Sequence, residues 1–180
     1  MLLALDSYYL GDVCNTSLVI FENNPYSSIY YTDTVYTDVT SEYIPGKFYR
    51  RELPGIKVIL KKLIREHPEL WSNVNAIIVD SFVRLKSQDK EWDGLGQHLY
   101  DWLESIGQHK IVWGVAKTKF GECDKISRLV YRGVSKNPLY VQSTGDIEVA
   151  AETIKNLGSA FDPVRIPNVL KHVDQLSRIF

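Results

Sequence analysis

Two aspartates stand where a carboxylate is expensive. Asp6 interrupts the apolar run of LLALDSYYL, and Asp80 ends that of NAIIVDSFV. An isolated buried charge costs several kcal/mol unless it is neutralised, paired or bound to a metal. If the two segments are neighbouring strands that end together, the carboxylates converge and repel unless a cation lies between them. Hard cations such as Mg²⁺ or Mn²⁺ take carboxylate oxygens and keep several waters, which is the chemistry of phosphodiester cleavage. Glu52 and Asp146, each placed at the mouth of an expected helix, complete a candidate metal set of Asp6, Glu52, Asp80 and Asp146. Each acid also has a plainer reading. A strand aspartate can simply be hydrogen-bonded at a sheet end, Glu52 can complement a helix dipole, and Asp146 can cap the helix that follows it.

The elements that would position these acids follow from periodicity. Residues 2–9, 13–21 and 28–38 predict three strands joined by short connections, an antiparallel meander. LPGIKVILKKLIREH carries Ile56, Ile59, Leu60, Leu63 and Ile64 on one stripe, a helix with Pro54 in its first turn. NAIIVD predicts a strand and SQDKEWDG a polar loop. A helix with Leu95, Leu99, Trp102, Leu103 and Ile106 on one side then stops at Gly107. KIVWGV predicts a strand beside IIVD, and RLVYRGV with PLYVQST a hairpin around SKN. Ile147, Ala150, Ile154 and Leu157 mark a helix ended by Gly158, and a last helix starts near Pro167. The order describes one α/β domain over 1–180: a mixed sheet, part antiparallel meander and part parallel, flanked by helices. Acids of the types Asp, Glu, Asp and Asp on such a frame are what a ribonuclease H-like nuclease fold uses.

Composition narrows the partners. The chain has 180 residues, an ordinary charged fraction and a net charge of −1, so any surface for a nucleic-acid backbone must be local. Lys47, Arg50 and Arg51 offer such a patch beside the Pro45-Gly46 turn. No apolar stretch approaches the roughly 20 residues of a membrane helix, and LLAL is too short for a signal core. Cys14 and Cys123 are isolated and lack metal-ligand spacing. The expectation is a cytoplasmic protein with no membrane partner.

The same residues carry a family resemblance. Tyr43-Ile44-Pro45-Gly46 followed by Arg51-Glu52 resembles the YIPG…RE signature of the endonuclease V family. Gly114-Val115-Ala116-Lys117 is similar to its lysine motif. Asn137-Pro138-Leu139 with Ser143-Thr144-Gly145 is similar to its NPL…GH segment, and Arg165-Ile166-Pro167 to its RxPEPTR region. Together these span most of the chain in the family's order.

The resemblance implies a metal-dependent endonuclease that cuts DNA or RNA near deaminated purines, chiefly hypoxanthine, in repair or RNA processing. It implies metal binding by Asp6, Glu52 and Asp80, a phosphate-facing Lys117, and a tyrosine wedge at Tyr43 that enters the gap near a displaced base. Nucleic-acid contacts would come from Tyr43, Ile44, Pro45, Gly46, Arg50 and Arg51, and from Gly94 and His98, which match the family's Gly and His. Three departures stand out. The family's usual segment before the first Asp is missing, and Glu42 stands where its wedge begins with Pro. Asp146 replaces the GH histidine. After Asp80 the family's G-x-G…HPR stretch, which helps build the base pocket, gives way to SFVRLKSQDKEWDGLGQH.

Bland alternatives remain for the contact residues: Tyr43 as a cover for a strand edge, Arg50 as an acid's partner, Lys117 as a surface lysine and His98 as a packed helix residue. Two competing functions follow. One is a nucleic-acid-binding protein that keeps the fold without catalysis. The other, an actin-like kinase or ATPase, lacks a second Gly-rich phosphate loop and the length for two lobes.

Overall fold

The computed structural model describes residues 1–180. Strands β1 (Leu2–Leu10), β2 (Val13–Phe21) and β3 (Ile29–Asp38) form the expected antiparallel meander. Strand β4 (Ala76–Val79) joins β1 in parallel, and β7 (Ile111–Ala116) joins β4 in parallel. Strand β9 (Leu139–Ser143) runs antiparallel to β7 and carries the short edge strand β8 (Arg128–Val130). The seven strands lie in the order β3-β2-β1-β4-β7-β9-β8. The sheet is therefore mixed, as the sequence predicts, with parallel strands only at its centre, where both faces are covered.

Side-chain alternation divides the core in two. Leu3, Leu5, Leu18, Ile20, Ile77, Val79 and Val112 face helices α1 (Tyr49–Glu66), α2 (Pro68–Asn73) and α3 (Leu95–Ser105), where they meet Ile59, Leu60, Leu63, Trp71, Leu99 and Leu103. Ala4, Val19, Phe21, Ile78, Trp113, Val115 and Val141 face the other way. There they meet α4 (Ile147–Asn156) and α5 (Asn168–Ser177) through Ala150, Ile154, Val169, Leu170 and Val173. At about 25 cal/mol per Å² of apolar surface, this two-sided burial is the main force that holds the strand ends in place. No helix is long and apolar enough to cross a membrane.

Four expectations are corrected. Helix α1 begins at Tyr49, so Pro54 lies in its second turn and not its first. Apolar packing of Leu53, Ile56 and Ile59 outweighs the backbone hydrogen bond that the proline withholds. That earlier start puts Glu52 in the first helical turn. The expected polar loop SQDKEWDG instead contributes to a hairpin, β5 (Arg84–Ser87) with β6 (Lys90–Asp93). Its turn residues Gln88 and Asp89 both take positive φ, 50° and 60°, the geometry of the tight turns that match strand twist. Cross-strand pairs Arg84–Asp93 and Lys86–Glu91 replace apolar alternation as its stabilising contacts. The hairpin expected around SKN is looser, because β8 ends at Val130. Finally, α2 is an extra helical turn and a half after His67, with Pro68 at its first position.

Candidate active site

Strand register brings the first two acids together. Leu5 is the partner of Val79 where β1 meets β4, so Asp6 and Asp80 are the next residues of adjacent parallel strands. By alternation both fall on the face that carries Ala4 and Ile78, the face covered by α5. Lys117 follows Ala116 at the end of β7, and its Nζ lies 2.6 Å from Asp80 Oδ2. Glu52 arrives from α1 on the opposite side of the sheet and reaches across the strand ends. There it lines one small cavity with Asp6, Ser7, Asp80 and Leu95.

Electrostatics mark the cluster as strained when it stands alone. Burial, with Asp80 and Asp174 nearby, pushes the Asp6 carboxyl up to about 6 despite the hydroxyl of Ser177 at 2.8 Å. Burial, then Asp6 and Asp80, pushes Glu52 up to about 8. Burial raises Asp80 as well, against the pull of Lys117. Burial would lower the Lys117 ammonium, but Asp80 outweighs it and the net shift is upward. Three hard oxygen donors with excess negative charge fit a hard divalent cation by donor type. As the chain stands, no three Asp, Glu, His or Cys side chains converge closely enough to enclose an ion.

Asp146 does not join them. It caps α4, accepting from the backbone N–H groups of Glu148 and Val149 at 2.8 and 3.2 Å. Because β9 runs antiparallel to β7, Asp146 follows the wrong end of its strand: Thr144 N–H bonds Val112 O, near the start of β7. The fourth acid of the cluster is Asp174 on α5, which acts on Asp6, Asp80 and Lys117. Its own carboxylate is held low by Arg178, one helical turn on at 3.0 Å. The tail of the chain fixes α5 over the strand ends: Asn15 and Tyr36 both donate to Ile179 O, at 2.7 and 3.0 Å. A sequence signal existed, since Asp174 follows the stripe Val169, Leu170, Val173 directly, on the border of a buried helix face.

Below the acids opens a cleft of about 400 Å³, lined by Phe48, Tyr49, Glu52, Asp80, Phe82, Gly94, Lys117 and Phe120. On its rim, Ile44-Pro45-Gly46-Lys47 forms a turn closed by Lys47 N–H to Ile44 O at 2.9 Å, with Gly46 at φ 76°. Tyr43 is 59% exposed, with its ring edge on Phe48. Arg50 is also exposed. Arg51, expected on nucleic acid, instead turns inward, its guanidinium 4.4 Å from the Tyr9 ring. Gly94 lines the cleft, and the close approach of Phe82 requires a glycine there, since a Cβ would lie 2.5 Å from Phe82 O. His98 stacks against Tyr49 at 3.7 Å and so braces the cleft wall from behind.

The segments of the lysine, NPL and RIP motifs meet in space. Arg165 donates to the carbonyls of Lys117, Asn137 and Pro138, and so holds the backbone of the lysine that faces the acids. Gly114 is required by the loop above it, since a Cβ would lie 2.6 Å from Ser81 O and 2.9 Å from Val83 N. That contact explains the glycine of the lysine motif in packing terms.

No family model and no curated protein matches the chain by sequence. Solved structures do match it by shape. The catalytic domain of human endonuclease V superposes with a TM-score of 0.75 at 20% identity, over 98% of this chain and 80% of that one. Endonuclease V of Ciona intestinalis, in complex with DNA containing an inosine followed by a ribo-adenosine, gives 0.75 at 16%, over 98% and 83%. The Bacillus subtilis protein gives 0.65 at 13%, over 97% and 77%. By its fold, the chain is similar to endonuclease V.

Proposed function

We propose that this protein is a metal-dependent endonuclease that hydrolyses phosphodiester bonds in DNA or RNA near deaminated bases such as inosine. The observation that carries the reading is the meeting of Asp6, Glu52 and Asp80, from three separate elements, in one cavity beside an aromatic-walled cleft. Asp6, Glu52 and Asp80, with Asp174 beside them, would hold a Mg²⁺ or Mn²⁺ ion, which when bound would lower the pKa of a water and act as a Lewis acid. The residues of the chain do the rest. Lys117 exchanges its contact with Asp80 for a non-bridging phosphate oxygen and neutralises charge that develops there. Tyr43, on the exposed rim, offers a face on which a base can stack. Phe48, Tyr49 and Phe120 give the cleft an apolar wall beside the charged groups.

The test is a panel of labelled DNA and RNA oligonucleotides with and without a central inosine, incubated with Mn²⁺ or Mg²⁺. Nicking near inosine that stops in EDTA, and an Asp80→Asn variant that folds but does not cut, are expected. An Asp80→Asn variant as fast as the wild type would remove this cluster from the chemistry. One observation favours a binding-only protein: Lys117 already satisfies Asp80 at 2.6 Å. Tight binding in EDTA with no nicking under any metal would establish that alternative.

A further inference from the structure

The hairpin β5–β6 occupies the stretch where the chain departs most from the family pattern, and one residue of it touches two separate segments that line the cleft. Trp92 Nε1 donates to Gly46 O at 3.1 Å, and its ring lies so close that a Cβ on Gly46 would be 3.3 Å from Cζ2. Its other face meets Phe120 edge-on at 6.1 Å. Gly46 and Phe120 both line the cleft, while Trp92, which touches both, is not one of its lining residues.

The two contacts are not equally anchored. On the Phe120 side the hairpin is fixed by backbone: Glu122 N–H bonds Lys86 O at 2.8 Å, Lys86 N–H points to Cys123 Sγ at 3.3 Å, and Asp89 N–H bonds the Glu122 carboxylate at 3.2 Å. Gly121, at φ 49°, permits this approach, since a Cβ would lie 2.5 Å from Lys86 O. On the other side the 43–47 loop is exposed except at Gly46, the residue that Trp92 covers. The hairpin is thus the fixed partner and the loop the one that is held.

We propose that Trp92 is a positioning residue that ties the Tyr43–Phe48 loop to the Phe120 segment of the cleft lining and thereby sets the affinity of the cleft for a nucleic-acid strand. The proposal rests on the nucleic-acid reading of the cleft. It makes no demand on the metal site, because none of the contacts of Trp92 involves Asp6, Glu52, Asp80 or Asp174.

The full chain is compared with Trp92→Phe, which keeps a ring beside Phe120 but loses the N–H, and with Trp92→Ala. Amide hydrogen exchange is followed together with anisotropy of a labelled single-stranded RNA with a central inosine, in EDTA so that no cleavage intervenes. Loss of one hydrogen bond predicts roughly 5-fold faster exchange of the 44–48 segment in Trp92→Phe, with a larger effect in Trp92→Ala. Exchange in β1, β4 and β7 should stay unchanged, and RNA affinity should weaken in the same order. The increase in melting temperature on adding Mg²⁺ should be the same in all three proteins. A uniform rise in exchange across the sheet, or unchanged exchange at 44–48, would overturn the tie. Faster loop exchange with unaltered RNA affinity would overturn its role in binding. A wild type that binds no oligonucleotide would overturn the nucleic-acid reading and the binding half of the proposal, while the exchange data would decide the tie by themselves.

Discussion

Glu52 is the acid whose charge the fold opposes most. Its folded pKa of about 8 stands above the ordinary 4.5, so between those values the folded chain keeps a proton that the unfolded chain has lost. Its contribution to stability is therefore fully present below about pH 4.5 and is lost as pH rises through 8. Asp6, at about 6, acts in the same direction over a lower window. Without divalent cations, the melting temperature should fall between pH 5 and 8.5, and Glu52→Gln should flatten that fall. At pH 8 the variant should melt roughly 2–8 °C above the wild type, the shift expected of about 1–2 kcal/mol in a chain of this size. A variant that melts lower, with the same pH slope, would show that Glu52 is not strained. Mg²⁺ should raise the melting temperature of the wild type and have little effect on Glu52→Gln. Asp174 and Asp146 separate by a different measurement. Asp174→Asn should reduce cleavage at least 10-fold with the fold intact, whereas Asp146→Ala should cut normally and lose about 1 kcal/mol as α4 loses its cap. The reverse pattern would restore Asp146 to the site.

At the scale of elements, the site is made by strand ends that stop together and by a loop that crosses them closely. The 81–83 segment passes over β7 at Gly114 and over the start of α3 at Gly94, with backbone contacts under 3.0 Å from a hypothetical Cβ at each. Gly114→Ala must push that segment, and with it Asp80, away from Lys117. It should cost roughly 1–3 kcal/mol through overpacking and abolish cleavage, as read by thermal melting and the oligonucleotide assay. A stable, active Gly114→Ala would mean that the crossing loop yields easily. Central strands and long helices are the legible elements, because apolar side chains repeat at the period of the element itself. The hairpin β5–β6 was not legible, because Arg84, Lys86, Glu91 and Asp93 stabilise it through charge pairs and its turn uses Gln88-Asp89 where Asn-Gly is the usual signal. The early start of α1 was hidden by Pro54 for a similar reason: local propensity argued against what tertiary packing enforces.

For the whole molecule, a net charge of −1 limits how nucleic acid can be held. Cationic groups near the cleft are few: Lys47 and Arg50 on the exposed rim, and Lys117 and Lys119 along the wall. Lys117 and Lys119 already pair with Asp80 and Asp124. Neutralisation of roughly three phosphates predicts a log–log salt slope near −2 for single strands. A slope beyond about −5 would point to a basic surface elsewhere. Asp6 and Asp80 could be named from sequence because a carboxylate at the border of an apolar run is costly without a partner, and that cost is local; Glu52 was named from its place at the mouth of a helix, and Lys117 from the family resemblance. Their meeting was a matter of register: Leu5 opposite Val79 carries both aspartates to one face, and a one-residue slip of β4 would have sent Asp80 to the other. Asp174 for Asp146, the inward turn of Arg51 and the grip of Trp92 on Gly46 were decided by tertiary structure alone. Strand direction and helix placement set which distant side chains become neighbours, and neither is written in the spacing of residues along the chain.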